Sequence, residues 1–135
     1  MAATAFRLRI VTPSRLLIDE DVQEVTAPGT VGEFGVLPDH ITFLTSLEIG
    51  TLSYRSERTV RRLAVRGGFA EVVNNVMTVL ADDAVVADDV NPAVARIDLQ
   101  TAETQLHEFS PLDAAFVAAD ANQRWAQARL DIAGH

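Results

Sequence analysis

The character of this chain changes near residue 90, and that change limits what it can fold into. Six of its seven glycines and most of its Val, Ile and Thr residues lie before that point. Beyond it come alanine, glutamine and charged residues at helical spacing. A strand-rich domain followed by a helical one accounts for both halves. At 135 residues, one core of ordinary size, or a compact domain plus a small appendage, is expected, with no need of disulfides or metal.

In the first half, Phe6, Leu8 and Ile10 alternate with Arg7 and Arg9, the period of a half-buried strand. Thr12-Pro13-Ser14 turns the chain into Leu16-Leu17-Ile18. Further strands are expected at Val22–Ala27, Ile49–Arg55, Thr59–Arg66, Phe69–Val73 and Val76–Ala81. Between them stand Ser56-Glu57-Arg58, Gly67-Gly68 and Asn74-Asn75, all turn chemistry. Asn74-Asn75 suits a two-residue hairpin, because asparagine tolerates the positive φ of a type I′ turn. Many short strands with frequent turns predict a sandwich or barrel.

In the second half, Asn91-Pro92 marks a helix start, with asparagine as N-cap and proline in the first turn. Ala95, Leu99, Ala102, Leu106 and Phe109 fall on one stripe of that helix. Ser110-Pro111 repeats the start signal, with Asp113 suited to a helix N-terminus. A second stripe runs through Leu112, Phe116, Ala119, Gln123, Ala126 and Leu130. Two helices separated by a residue or two must fold back as an antiparallel hairpin. Its alanine-rich seam buries little area per turn, so it needs support from the sandwich or a partner. The predicted architecture is a β-sandwich over residues 1–89 followed by a two-helix hairpin over 90–135.

Chemistry is sparse. Without cysteine there is no thiol nucleophile or cysteine-based zinc site, and without lysine no Schiff base or phosphate-binding Walker lysine. A formal charge of −8 disfavours nucleic acid and anionic lipid as partners. Asp82-Asp83, Asp88-Asp89 and Asp19-Glu20-Asp21 read as solvated loop charge, since neighbouring strand residues point to opposite faces. His40, His107 and His135 lack metal-ligand spacing, and His40 is expected to order its loop by a hydrogen bond. Gly29-Thr30-Val31-Gly32-Glu33-Phe34-Gly35 lacks the Lys-Ser/Thr of a P-loop. It reads as a shaped loop, with positive φ at several glycines, exposing Glu33 and Phe34. Trp125 lies off the second stripe and is expected to be partly exposed, with Arg124 and Arg129 beside it. The N-terminus, Met1-Ala2-Ala3-Thr4-Ala5, has no basic start or long apolar stretch, and no run of roughly 18 apolar residues is present. The chain is therefore expected to be cytosolic and to work by contact.

Gly32-Glu33-Phe34-Gly35-Val36-Leu37-Pro38-Asp39-His40, continuing to Phe43-Leu44-Thr45, resembles a sequence block of the ATP synthase epsilon subunit family. Gly67-Gly68-Phe69-Ala70-Glu71-Val72 with Val76-Met77-Thr78-Val79-Leu80-Ala81-Asp82 is similar to the family's second block, and Leu8–Pro13 to its first strand. The resemblance covers residues 6–90 closely and the remainder in architecture. It implies a flattened β-sandwich followed by a helical hairpin, in a non-catalytic subunit of the central stalk of an F-type ATP synthase. Implied partners are the gamma subunit, the membrane rotor ring of c subunits and, if the hairpin extends, the catalytic alpha/beta head. It also implies a peripheral place on the cytoplasmic face of the bacterial membrane, without lipid insertion.

By the same resemblance, Gly32, Glu33, Phe34, Gly35, Pro38 and His40 form the loop that contacts the ring and gamma. Some family members bind ATP through an I/L-D-x-x-R-A motif. Here the aligned residues are Val90-Asn91-Pro92-Ala93-Val94-Ala95, so the aspartate and arginine are replaced by Asn91 and Val94. No useful ATP affinity, no cofactor and no metal are expected. Inhibitory members carry basic residues on the second helix. Arg124, Trp125 and Arg129 are the candidates here, opposed by Asp113, Asp120 and Asp131, so inhibition is expected to be weak. The competing reading is a free-standing β-sandwich binding module.

Overall fold

The structure is a computed structural model that describes residues 3–133. Met1, Ala2, Gly134 and His135 lie outside the described residues. Eight strands, β1 (Phe6–Thr12), β2 (Arg15–Val22), β3 (Glu24–Gly29), β4 (Gly32–Val36), β5 (Phe43–Ser56), β6 (Thr59–Val73), β7 (Val76–Ala81) and β8 (Ala84–Val86), precede two helices, α1 (Pro92–Glu108) and α2 (Ala114–Ala133). A short 3-10 helix at Ala87–Asp89 joins the halves.

The strands form one sheet in the order β2-β1-β7-β6-β5-β3-β4, with β8 paired to β6. The sheet coils over itself into a β-sandwich. Its core holds Leu8 and Ile10 of β1, Val25 of β3, Leu52 of β5, Leu63 and Val72 of β6, and Met77 and Val79 of β7. Hydrophobic alternation in β1 places Phe6, Leu8 and Ile10 inward and Arg7 and Arg9 outward, as expected.

Several boundaries depart from the sequence reading. Thr59–Arg66 and Phe69–Val73 are a single strand, β6, in which Gly67-Gly68 makes a bend and not a turn, with φ of 65° and 111°. Opposite the bend, Asp82-Asp83 interrupts β7 and β8, which share one register along β6. The bend resets the side-chain alternation: Leu63 and Val65 point into the core before it, and Ala70 and Val72 after it. The expected strand Val22–Ala27 is split, because Val22 ends β2 and β3 begins at Glu24. Asp19-Glu20-Asp21 is strand and not loop: Asp19 and Asp21 face Arg7 at 2.7 and 3.2 Å. The hydrogen bond from Arg7 holds the Asp19 carboxyl below the usual carboxylate range. Asn74 and Asn75 do form the expected hairpin turn, with φ of 50° and 61°.

Asn91 caps α1, its side chain accepting from the Ala93 and Val94 amides, with Pro92 in the first turn. The stripe from Ala95 to Phe109 faces inward. α2 starts later than its proline signal: Ser110 organises a turn, and Asp113 Oδ1 then accepts from the Ala115 amide at 2.9 Å. Five residues therefore separate the helices, and Leu112 is exposed in the connection. Arg129, late in α2, meets Asp98, early in α1, as an antiparallel hairpin requires.

Tyr54, the chain's one tyrosine, is 2% exposed in the core. Burial pushes its phenol up to about 12, and the Glu20 carboxylate adds to the shift. The folded state thus keeps a proton that the unfolded chain releases above about pH 10. Stability from this group is complete below pH 10 and falls as the pH rises toward 12. Tyrosinate absorbance should show a midpoint near 12 in the folded chain, and Tyr54→Phe should flatten the alkaline decline. A midpoint near 10 before unfolding would contradict this placement.

Candidate functional site

Three surfaces stand out, and the first is the end of the sandwich reached by the Gly32–His40 segment. Most of the expected loop is strand: β4 pairs with β3 from Gly29↔Gly32 to Val25↔Val36. Among its glycines only Gly32 has positive φ, at 125°. Gly29 is needed for space, since a Cβ there would stand 2.8 Å from the Gly32 carbonyl oxygen. Glu33 is exposed, as expected. Phe34, by contrast, is half-buried, its ring edge-on to Phe43 at 5.3 Å. The apolar side chain offered to solvent here is Val31, in the β3–β4 turn.

Pro38, Asp39 and His40 lie in the following loop. The Asp39 amide donates to Asn75 Oδ1 at 2.7 Å, and Asn75 Nδ2 donates to Asp39 Oδ1 at 3.1 Å. This reciprocal pair lashes the loop to the β6–β7 turn. His40 packs against Phe43 with its ring tilted, centroids 4.9 Å apart, and hydrogen-bonds through Nδ1 to the Ile41 carbonyl, the ordering role expected of it. Leu37 and Ile41 project outward from the same loop.

The second surface is the outer face of β2, β1, β7 and β6. Register aligns Leu16 with Val11, Val11 with Leu80, and Leu80 with Phe69. Leu80 is 53% exposed, Phe69 56%, and Leu44 in the adjoining row 70%. The helices do not cover this apolar ladder. Only strand register puts these side chains side by side. A contiguous exposed apolar face of this kind is characteristic of a contact surface.

The third surface is the seat of the hairpin. α2 is buried on two sides: Ala119 and Ala126 face α1, while Trp125, Ala128 and Ile132 pack on Ala64, Ile49 and Val85 of the sandwich. Trp125 is therefore 8% exposed and not a free binding face, because its side of α2 carries the docking contact. Arg124 pairs with Glu48 of β5 at 3.0 Å and with Asp120 at 3.3 Å. Arg129 pairs with Asp98 at 3.0 Å and lies 5.4 Å from the Trp125 ring centroid. Arg66 donates to Asn122 Oδ1 across the same seam. Glu48, Asp98 and Asn122 carry no motif that marks them in the sequence. Of the aligned nucleotide-motif positions, Asn91 is spent on capping α1 and Val94 is exposed.

Residues 5–87 match the family described as ATP synthase, Delta/Epsilon chain, beta-sandwich domain. The ATP synthase epsilon chain of Citrifermentans bemidjiense is 40% identical, over 98% of this chain and 96% of its own length. The chain belongs to the ATP synthase epsilon chain family. The epsilon chain of Geobacter sulfurreducens is 38% identical over the same shares. In fold, this epsilon-family chain is similar to a chain of the Euglena gracilis mitochondrial ATP synthase, solved as OSCP/F1/c-ring, with a TM-score of 0.83 and 22% identity. That likeness covers 100% of this chain and 84% of the other. A chain of the Tetrahymena thermophila central stalk/c-ring structure matches with a TM-score of 0.64 at 16% identity, over 94% and 95%. The family places this chain as a subunit of an ATP synthase and not its catalytic one. Among the described residues, no helix is long and apolar enough to cross a membrane.

Proposed function

We propose that the chain is the non-catalytic central-stalk subunit that couples rotation of the membrane ring to ATP synthesis in the catalytic head. It would lie peripherally on the cytoplasmic face of the membrane. Residues 1–89 form the unit that binds gamma and the ring, and residues 90–135 form a hairpin that rides on it. The observation that carries this reading is the uncovered ladder Leu16–Val11–Leu80–Phe69 with Leu44 beside it. It supplies the apolar area for gamma, since an exposed ion pair contributes only about 0–1 kcal/mol.

Glu33 and the Pro38–His40 loop then face the polar loops of the ring, on a support stiffened by the Asp39–Asn75 hydrogen bonds. Weak inhibition of hydrolysis belongs to the extended hairpin, with Arg124, Trp125 and Arg129 released toward the head. In the docked hairpin both arginines already hold carboxylates, and Trp125 is covered.

Phe69→Asp tests the gamma assignment. Phe69 points away from the core, so the variant should keep its circular dichroism and melting behaviour. Its affinity for a gamma subunit should fall about a hundredfold, as expected for a central apolar contact. Undiminished co-purification of the variant with gamma would refute this face as the gamma contact, and failure of the parent chain to co-purify with gamma would favour a free-standing module.

A further inference from the structure

Five of the eleven arginines fall within residues 53–66, alongside a single acid, Glu57. The rest of the chain has six arginines against eighteen acids. Positive charge is thus concentrated at the β5–β6 hairpin of an otherwise acidic protein. Arg55 makes a long 3.9 Å pair with Glu24, whereas Arg58, Arg61 and Arg62 enter no salt bridge among the described residues. Arg62 only reaches the Asp131 carbonyl oxygen, at 3.5 Å.

Beside these arginines opens a cavity of about 260 Å³. Ile18, Leu63, Val86 and Ile132 line it, Arg61 and Arg62 flank it, and Asp88 is its one acidic residue. Val60, 63% exposed, stands at the same opening. The walls come from both halves of the chain, since Ile132 belongs to α2 and the other apolar residues to the strands.

We propose that this corner binds an acidic peptide segment through one apolar anchor side chain. Arginine forks match carboxylates in bidentate geometry, and the apolar cavity takes the anchor. Nucleic acid and anionic lipid would use the charge but leave the cavity empty, and the surrounding surface repels a long polyanion. Because Ile132 supplies a wall, the bound segment holds the hairpin in its docked position. The binding reading does not depend on the stalk assignment.

The test uses the full chain and a labelled peptide in which glutamates flank a single phenylalanine. Anisotropy should show saturable binding that weakens at high salt. Arg58→Glu with Arg61→Glu should weaken it at least about tenfold, and replacing the peptide's phenylalanine by serine should do the same. Hydrogen exchange in α2 should slow with the peptide bound. The double variant's melting curve must match the parent's, and Arg58→Gln with Arg61→Gln, which removes charge without reversing it, serves if it does not. Absence of binding, equal binding of the serine peptide, or equal capture of phosphatidylglycerol vesicles or single-stranded RNA would each overturn the proposal.

Discussion

Gly68→Ala should destabilise the sandwich by about 3 kcal/mol or more, the largest effect expected of any small substitution in the strands. Two costs combine there. The backbone holds φ at 111°, a region that residues with a Cβ rarely occupy. The added methyl would also stand 2.0 Å from the Leu80 carbonyl oxygen and 2.9 Å from Ala81 Cα, both backbone atoms of the paired strand. Relief requires parting β6 from β7, and that pairing carries the change in side-chain phase between Val65 and Ala70. A strand slipped by one residue would turn Ala70 and Val72 outward and Phe69 inward.

Gly67 makes a sharp comparison. Its φ of 65° is one that asparagine tolerates, and a Cβ would meet mainly the Asp82 carboxylate at 3.2 Å. Gly67→Asn should therefore cost about 1 kcal/mol. Urea denaturation followed by circular dichroism measures both. Equal, small losses at the two positions would show that the close approach at Gly68 does not govern the fold.

Trp125→Ala should release the hairpin while leaving the sandwich folded. Truncating a buried tryptophan costs about 3–5 kcal/mol, and here the loss falls on the seam between α2 and the sheet. The helix pair has little to replace it, because its fully buried mutual contacts are Ala95 and Ala102 against Ala119 and Ala126. Each alanine removes little apolar area from water. The substitution also takes away the ring that the Arg129 guanidinium overlies, weakening the hold on Asp98. Amide exchange should accelerate through residues 92–133 and stay slow in β5–β7. Unchanged protection in α2 would show that docking rests elsewhere.

In the assembled synthase the hairpin itself is tested by truncation after Asp89, since Trp125 is one of its candidate inhibitory residues. Truncation should raise ATP hydrolysis modestly. Unchanged hydrolysis would leave the hairpin without an inhibitory role.

Legibility differed by position for physical reasons. β1 and β7 were plain because alternation is a local property, and Asn74-Asn75 because its φ requirement is local too. β4 was read as loop because Gly32 and Gly35 weaken strand propensity, while the pairing with β3 that stabilises it lies outside any local window. Trp125 was misplaced because a helical stripe assumes one buried face, and α2 has two. One signal for the second face was present, the unbroken run Leu63-Ala64-Val65. A strand buried on both sides has no reason to alternate, and small Ala64 sits under α2.

By itself the sequence determined the two-part architecture, the Asn91 cap, the Asn74-Asn75 turn, the family and the exclusion of thiol and Schiff-base chemistry. All of these depend on residue type and short-range spacing. The tertiary structure alone decided which outward side chains join into a ladder, that Asp39 grips Asn75, and that Arg124 and Arg129 hold the hairpin down. The Asp39, Arg124 and Arg129 contacts bring together residues from 31 to 76 positions apart, and the ladder joins β1 to β7 across the sheet. Only the register of the coiled sheet and the seat of α2 set these groups within reach.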